Sequence, residues 1–123
     1  VVFGALCNAI TSLTGVPILS EIAVKLCTRD GITDSEVYVK EALKTLKSQK
    51  ITHVAISLEA KRPHFEEHIQ EMKKKIARLL SLQPQQIGIT AMSGAGLTDC
   101  GCGDGVMCTV LLTTLETVPP TEL

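Results

Sequence analysis

The sequence has almost no aromatic side chains: it contains no tryptophan, one tyrosine and two phenylalanines in 123 residues. Proteins that hold single-stranded nucleic acid stack its bases on aromatic side chains, and this chain has too few for such a platform. It also has no excess of positive charge, because its formal net charge at pH 7 is −1. The attraction that draws a protein to nucleic acid or to an anionic membrane surface is therefore missing, and neither is expected as a partner.

Long apolar runs and paired cysteines are also missing. No apolar run reaches the roughly 20 residues that span a bilayer, and no charged segment before an apolar one marks a signal peptide. The five cysteines are odd in number and lack Cys-x-x-Cys spacing, and Cys100-Gly101-Cys102 is too tight for an ordinary structural zinc site. Reduced thiols are therefore expected, which favours a bacterial cytoplasm, with a plastid as the alternative.

Aliphatic residues are plentiful, and their spacing predicts helices. The hydrophobic fraction is 45%, enough for one core in a single domain over 1–123. Helical spacing is expected over 1–14 and over 64–82, with a short helical turn within 18–27. A further helix is expected to start at Thr33 or Asp34, and it carries the i, i+3, i+4, i+7 series Val39, Ala42, Leu43 and Leu46.

Three segments predict strands, at 51–58, 87–92 and 106–115. With the helices they predict an α+β fold, a two-layer sandwich in which helices cover one face of a small mixed β-sheet. Three strands make a thin sheet, so further strands or partner subunits are expected to complete it.

A glycine-rich segment separates the last two strands and holds five of the nine glycines, at 94, 96, 101, 103 and 105. Glycine adopts positive φ without steric cost, so such a segment can leave backbone N–H groups open to an anion. A long, loose hairpin loop is the alternative interpretation.

The other charged and histidine-containing segments are mostly interpreted as surface features. Lys73-Lys74-Lys75 is expected to be a solvated helix face rather than an anion site, and His53 a sheet-face residue. His64 and His68 could form half of a zinc site, but capping and surface roles are preferred. A metal loop formed by the acidic and cysteine side chains of 99–104 is also considered.

Four segments in chain order carry a more specific signal. Residues 20–23 read Ser-Glu-Ile-Ala, and residues 31–35 read Gly-Ile-Thr-Asp-Ser. Residues 60–72 contain Ala, Pro, His and Met at the spacing of a family motif, and residues 101–108 read Gly-Cys-Gly-Asp-Gly-Val-Met-Cys. Together they resemble the 2-C-methyl-D-erythritol 2,4-cyclodiphosphate synthase family over essentially the whole chain. In the same chain order, the corresponding family motifs are Gly-Asp-Ile-Gly, Lys-Gly-Ala-Asp-Ser, Ala-Gln-x-Pro-Lys-x-x-Pro-His-x-x-x-Met and Gly-x-Gly-Glu-Gly-Ile-x-Cys.

The resemblance implies a phosphorus–oxygen lyase of the non-mevalonate isoprenoid pathway. Such enzymes convert 4-diphosphocytidyl-2-C-methyl-D-erythritol 2-phosphate to 2-C-methyl-D-erythritol 2,4-cyclodiphosphate and CMP. It implies a homotrimer with sites between subunits, zinc plus magnesium or manganese at the diphosphate, and family N-terminal strands that this sequence lacks. A catalytically inactive trimeric homologue, with a cytidine-binding or structural role, is the alternative.

The resemblance also assigns site residues by position. Ser93 is implied as the hydroxyl that stabilises the transition state, and Asp104 as a residue of the trimer's central channel. Gly4 stands at the family's zinc-binding His and Ala95 at its second-metal Glu, so these ligands are not retained, and Cys7 is a possible substitute. The implied nucleotide-binding residues are Ala60, Pro63, His64, Phe65, Glu66 and Ala91. The implied substrate-binding residues are Glu21, Ala23, Met92, Ser93, Gly94, Ala95 and Cys102.

Overall fold

The computed structural model describes residues 2–15, 35–46, 48–61 and 66–117. In that part of the chain, two helices are followed by a strand, a third helix and two further strands, with short 3-10 turns on both sides of the third helix and before the last strand. The helices are α1 (Val2–Thr14), α2 (Ser35–Leu43) and α3 (Ile69–Leu80). The strands are β1 (Gln49–Glu59), β2 (Ile87–Met92) and β3 (Met107–Glu116).

The three strands form one mixed sheet in the order β2-β1-β3. β1 pairs in parallel with β2, with Leu58 opposite Ala91, and antiparallel with β3, with Leu58 opposite Cys108. Helix α3 connects the parallel pair, because parallel neighbours need a crossover and cannot be joined by a tight turn. A register shift between Ile51 and His53 interrupts the β1–β3 pairing.

The core lies between the helices and one face of this sheet. Alternate β1 residues, Val54, Ile56 and Leu58, are almost fully buried, as the period of two in a strand requires when one face is covered. Leu6 and Ile10, one helical turn apart on α1, belong to the same core cluster. The opposite sheet face stays open, and its large exposed side chains include Met92, Met107, Leu111 and Leu115. The predicted α+β fold with helices on one face is confirmed.

Element boundaries depart from the expected ones at the helix ends. The helix expected over 64–82 begins as a 3-10 turn, Glu66–His68, before α3, and it ends at Ser81. Ser81 has a φ of 58°, and its N–H group donates to the Arg78 carbonyl, so a left-handed residue closes the helix. The helical turn expected within 18–27 and the capping residues Thr33 and Asp34 lie outside the described residues.

The lysine run on α3 differs in part from the expected solvated face. Lys75 pairs with Glu36 of α2 at 2.9 Å and lies over the Phe3 ring of α1, 5.5 Å from its centroid. One lysine of the three thus links all three helices. His53 is exposed on β1, in agreement with the sheet-face interpretation. In the described part of the chain, no helix has the length and apolar character needed to cross a membrane.

Candidate functional site at the ends of the parallel strands

The parallel pairing of β1 and β2 brings two of the implied site segments together. The strands end side by side, with Glu59 opposite Met92. Beyond the last pair, the Ala60 N–H group donates to the Met92 carbonyl at 3.0 Å, which keeps the two chains together. Ala60 is buried, Ala91 is half-buried and Ser93 is exposed. Residues 60 and 91–93 therefore lie at one edge of the sheet, although they are about thirty positions apart in sequence.

A left-handed turn follows directly after β2. Ser93 caps it, because its Oγ accepts the Ala95 N–H group at 3.2 Å. The next three residues, Gly94, Ala95 and Gly96, have φ values of 75°, 50° and 72°. Right-handed Ser93 followed by a residue with positive φ is the backbone pattern that turns consecutive N–H groups towards one side, where an anion can bind. Ala95 holds this conformation without being glycine, at a cost of about 1–2 kcal/mol.

The rest of the glycine-rich segment is folded into successive turns. The Cys102 N–H group donates to the Thr98 carbonyl at 2.9 Å, and the Asp104 N–H group donates to the Asp99 carbonyl at 3.0 Å. The Lys61 N–H group, just past β1, donates to the Cys100 carbonyl at 3.0 Å. These bonds order the segment and attach it to the end of β1, so the loose hairpin loop is the wrong alternative.

Cysteines occupy two opposite environments. Cys7 is 1% exposed and belongs to the core, and desolvation by burial raises its pKa from 9.0 to about 11. Among the described residues, Cys7 belongs to no group of three His, Cys, Asp or Glu side chains that could hold a metal ion, so the substitute role considered from the sequence finds no partner ligands there. Cys102 is exposed in the glycine-rich segment, with its sulfur 3.4 Å from the Gly96 carbonyl. Burial also raises the pKa of the Cys108 thiol.

The described residues do not match the metal ions that the resemblance implies. Gly4 lies within α1 and Ala95 within the left-handed turn, and neither has a side-chain donor. Within ranges 2–15, 35–46, 48–61 and 66–117, no three His, Cys, Asp or Glu side chains converge to hold a metal ion. The metal loop considered for 99–104 is therefore wrong for these residues. His68 is exposed in a 3-10 turn, and its sequence partner His64 lies outside the described residues.

Some implied site residues lie outside the part of the chain that the structure describes: Glu21, Ala23, Pro63, His64 and Phe65. Glu66 is exposed at the start of the turn before α3, and Asp104 is exposed in the glycine-rich segment. Two residues near the site escaped the sequence interpretation, Glu59 and Thr98, whose side chains are hydrogen-bonded to each other at 2.9 Å. An acidic residue at a strand end and a hydroxyl before glycines are each too common to attract notice alone.

Comparison with known proteins is consistent with this arrangement. The model of the YgbB family matches residues 1–115. The chain is 51% identical over 117 residues to the 2-C-methyl-D-erythritol 2,4-cyclodiphosphate synthase of Chlamydia caviae, covering 94% of the chain and 66% of that relative. It is 47% identical over 120 residues to the enzyme of the same name from Chlamydia muridarum, covering 97% of the chain and 67% of that relative. The chain thus spans about two thirds of the length of these curated relatives.

Solved structures share the fold at lower sequence identity. A 2C-methyl-D-erythritol-2,4-cyclodiphosphate synthase in a form bound to CDP superposes with a TM-score of 0.75 at 21% identity, covering 91% of this chain and 73% of that one. The bifunctional IspDF from Campylobacter jejuni superposes with a TM-score of 0.82 at 20% identity, covering 94% of this chain and 32% of that one. At these identities the likeness concerns the fold alone.

Proposed function

The chain belongs to the YgbB family, and from that premise we propose that it forms the active-site portion of a 2-C-methyl-D-erythritol 2,4-cyclodiphosphate synthase. The observation that carries this is 51% identity, over 94% of the chain, to a relative of that name. In the proposed reaction an oxygen of the substrate's 2-phosphate attacks the β-phosphorus of the cytidine diphosphate group. The bond from that phosphorus to the CMP oxygen breaks, CMP leaves with the electron pair, and the cyclic diphosphate remains.

Ser93 is the proposed catalytic residue. Its Oγ already accepts the Ala95 N–H group, so the hydroxyl hydrogen is left to donate to a phosphate oxygen. Phosphoryl transfer depends mainly on alignment and on donors aimed at the phosphate oxygens where charge develops. The left-handed turn holds the hydroxyl at the end of β2, next to Met92 and Gly94. The residues proposed to bind the substrate with Ser93 are Glu21, Ala23, Met92, Gly94, Ala95 and Cys102.

The cytidine end of the substrate is placed at the start of the segment after β1. Ala91 lies there opposite Leu58, and Ala60, just past β1, donates its N–H group to the Met92 carbonyl. The proposed pocket is formed by Ala60 and Ala91 together with Pro63, His64, Phe65 and Glu66. The CDP-bound form among the solved structures supports a cytidine nucleotide as the ligand class. A cytoplasmic location, expected from the reduced cysteines, remains a prediction.

The open sheet face supports a homotrimer. Leu111 and Leu115 on β3 are 68% and 58% exposed on the face away from the helices, where they gain by being covered. A symmetric assembly would bury them and place the sites between subunits. Sedimentation of the full-length protein tests this. A monomer at micromolar concentration contradicts the trimer, and a trimer that Leu111→Asp dissociates supports it.

Metal ions enter the proposal only at the family level. The side chains of Gly4 and Ala95 have no metal-binding atom, so no step of the proposed reaction is assigned to a metal held by them. Zinc and magnesium or manganese, which the resemblance implies, would need ligands from other residues.

The deciding experiment is turnover of the cytidine-diphosphate substrate by the full-length protein, with CMP release followed by chromatography and the cyclic product by phosphorus NMR. We expect Ser93→Ala to lower kcat about 100-fold, as expected when a single transition-state donor is removed. Ser12→Ala, which removes an exposed hydroxyl on α1, is the matched control and should leave kcat unchanged. CMP binding without turnover by the wild type would favour the inactive binding protein instead.

A further inference from the structure

Two hydrogen bonds of the Thr98 hydroxyl join the end of β1 to the glycine-rich segment. The Thr98 Oγ donates to the Glu59 Oε2 at 2.9 Å, and the same Thr98 Oγ accepts the Gly101 N–H group at 2.9 Å. Glu59 and Thr98 are 39 positions apart in sequence, so this is a tertiary contact and not local turn chemistry. One hydroxyl therefore satisfies a carboxylate on the sheet and a backbone amide in the loop.

Gly101, whose amide is bound by Thr98, is also in close backbone contact with the left-handed turn. A Cβ placed on Gly94 would lie 2.8 Å from the Gly101 Cα, and one placed on Gly101 would lie 2.9 Å from the Gly94 carbonyl carbon. The two backbones are therefore in direct contact, with no side chain between them. Gly94 is bonded to Ser93, so a shift of Gly101 towards Gly94 displaces the turn that carries the Ser93 hydroxyl.

The Thr98 hydroxyl restrains the Gly101 amide, in addition to the backbone hydrogen bonds that hold the rest of the loop. The Lys61 N–H group fixes the Cys100 carbonyl, which positions one side of the loop. Among the described residues, the Gly101 amide, the next group along the chain, has the Thr98 hydroxyl as its hydrogen-bond partner and no other. Without that hydroxyl, the Cys100–Gly101 peptide can rotate about its anchored carbonyl and release the contact with Gly94.

We propose that Glu59, Thr98 and Gly101 form a clasp that positions the Ser93–Gly96 turn. Glu59 and Thr98 are positioning residues in this proposal, because they act on Ser93 through Gly101 and Gly94. The effect on the reaction rests on the proposed function. The effect on the turn does not, because the contacts of the clasp are all between residues of this chain.

The first test is amide hydrogen exchange of the ligand-free protein, which reports local opening. We expect Thr98→Val, which keeps the branched shape and loses the hydroxyl, to speed exchange at Gly101, Ala95 and Leu97 about tenfold, the factor expected for one lost hydrogen bond. Thr98→Ser keeps the hydroxyl and should exchange like the wild type. Unchanged exchange in Thr98→Val, or equal acceleration in both variants, overturns the clasp.

A second pair of variants removes the other end of the clasp and guards against a Thr98 variant that fails to fold. Glu59→Met deletes the acceptor at similar size, whereas Glu59→Gln retains a side-chain oxygen. We expect Glu59→Met to reproduce the faster exchange and Glu59→Gln to restore most of the protection. The same exchange in both Glu59 variants as in the wild type contradicts the proposal.

Kinetics then separate positioning from general loosening. We expect Thr98→Val to lower kcat about tenfold with KM changed less than about twofold, because the turn acts at the reacting phosphate and not at the cytidine. Faster exchange with wild-type kcat overturns the positioning role. A wild type that neither binds CMP nor turns over substrate contradicts the proposed function, while the exchange measurements still decide whether the clasp holds the turn.

Discussion

The helix-packed core and the glycine-rich segment after β2 are stabilised in opposite ways. In the core, side chains such as Leu6, Ile56 and Leu58 are 0–1% exposed, and burial of their apolar surface supplies the stability. In residues 93–106 only Gly101 is buried, and the order comes from backbone hydrogen bonds and the contact of Gly94 with Gly101. The proposed chemistry lies in the second region, where a backbone without large side chains can approach a phosphate closely.

The difference shows why the two regions tolerate different substitutions. A core position accepts any apolar side chain of similar volume, because the driving force is non-directional. A position in the left-handed turn depends on φ and on local clearance: Ala95 accommodates a methyl group, whereas a methyl group at Gly94 would collide with the Gly101 backbone.

The largest expected effect is on stability. Leu58→Ala removes a side chain that is 0% exposed on the central strand, and it should lower the free energy of unfolding by about 2–5 kcal/mol. Leu97→Ala changes a side chain that is 87% exposed in the glycine-rich segment, and its effect should stay within about 0.5 kcal/mol. Urea unfolding followed by circular dichroism measures both. Similar losses would show that the glycine-rich segment is packed like the core.

A smaller difference in stability is expected between alanine substitutions at two glycines of the turn. Gly94→Ala and Gly96→Ala each place a methyl group at positive φ, at a cost of about 1–2 kcal/mol. Gly94→Ala also forces a Cβ to 2.8 Å from the Gly101 backbone, whereas Gly96 has nothing within 4 Å. We therefore expect Gly94→Ala to cost about 1–3 kcal/mol more than Gly96→Ala. Equal unfolding free energies would contradict the close backbone contact.

A pH dependence should arise from the buried thiol of the core. The pKa of Cys7 is about 11 in the folded chain against an ordinary 9.0, so the folded state keeps the thiol proton after the unfolded state has lost it. Stability from this source is complete below about pH 9 and declines as pH rises towards about 11. Cys7→Ala should remove this component, seen as a flatter pH dependence of unfolding than in the wild type. An unchanged slope would contradict it.

The smallest perturbation compares two thiols in the native protein. Iodoacetamide should label exposed Cys102 first and leave Cys7, which is 1% exposed, unmodified until the chain unfolds. Peptide mass spectrometry at increasing times at pH 8 follows each site. Addition of urea should remove the difference, and labelling of both sites at one rate without urea would show that the core opens readily.

Much of the fold was predictable because periodicity reports burial. The expected strand 87–92 coincides with β2, β1 extends the expected strand 51–58 by two residues at its start and one at its end, and β3 is shifted by one residue from the expected 106–115. Helix ends were less predictable. Ser81 ends α3 with a positive φ, and serine is not a residue type that predicts this conformation. The role of Lys75 was also missed, because pairing with Glu36 depends on how two helices pack and not on spacing within one helix.

The sequence by itself determined the secondary structure, the helix-covered sheet and the family, since apolar spacing and ordered motifs are properties of the chain alone. Only the tertiary structure decided which distant residues meet: the parallel pairing that puts Ala60 beside Met92, the Thr98 bridge to Glu59, and the contact between Gly94 and Gly101. It also decided that Cys7 is a core thiol with a raised pKa. The physical reason is that hydrogen bonds and desolvation depend on distances within a few ångströms, which sequence separation does not specify.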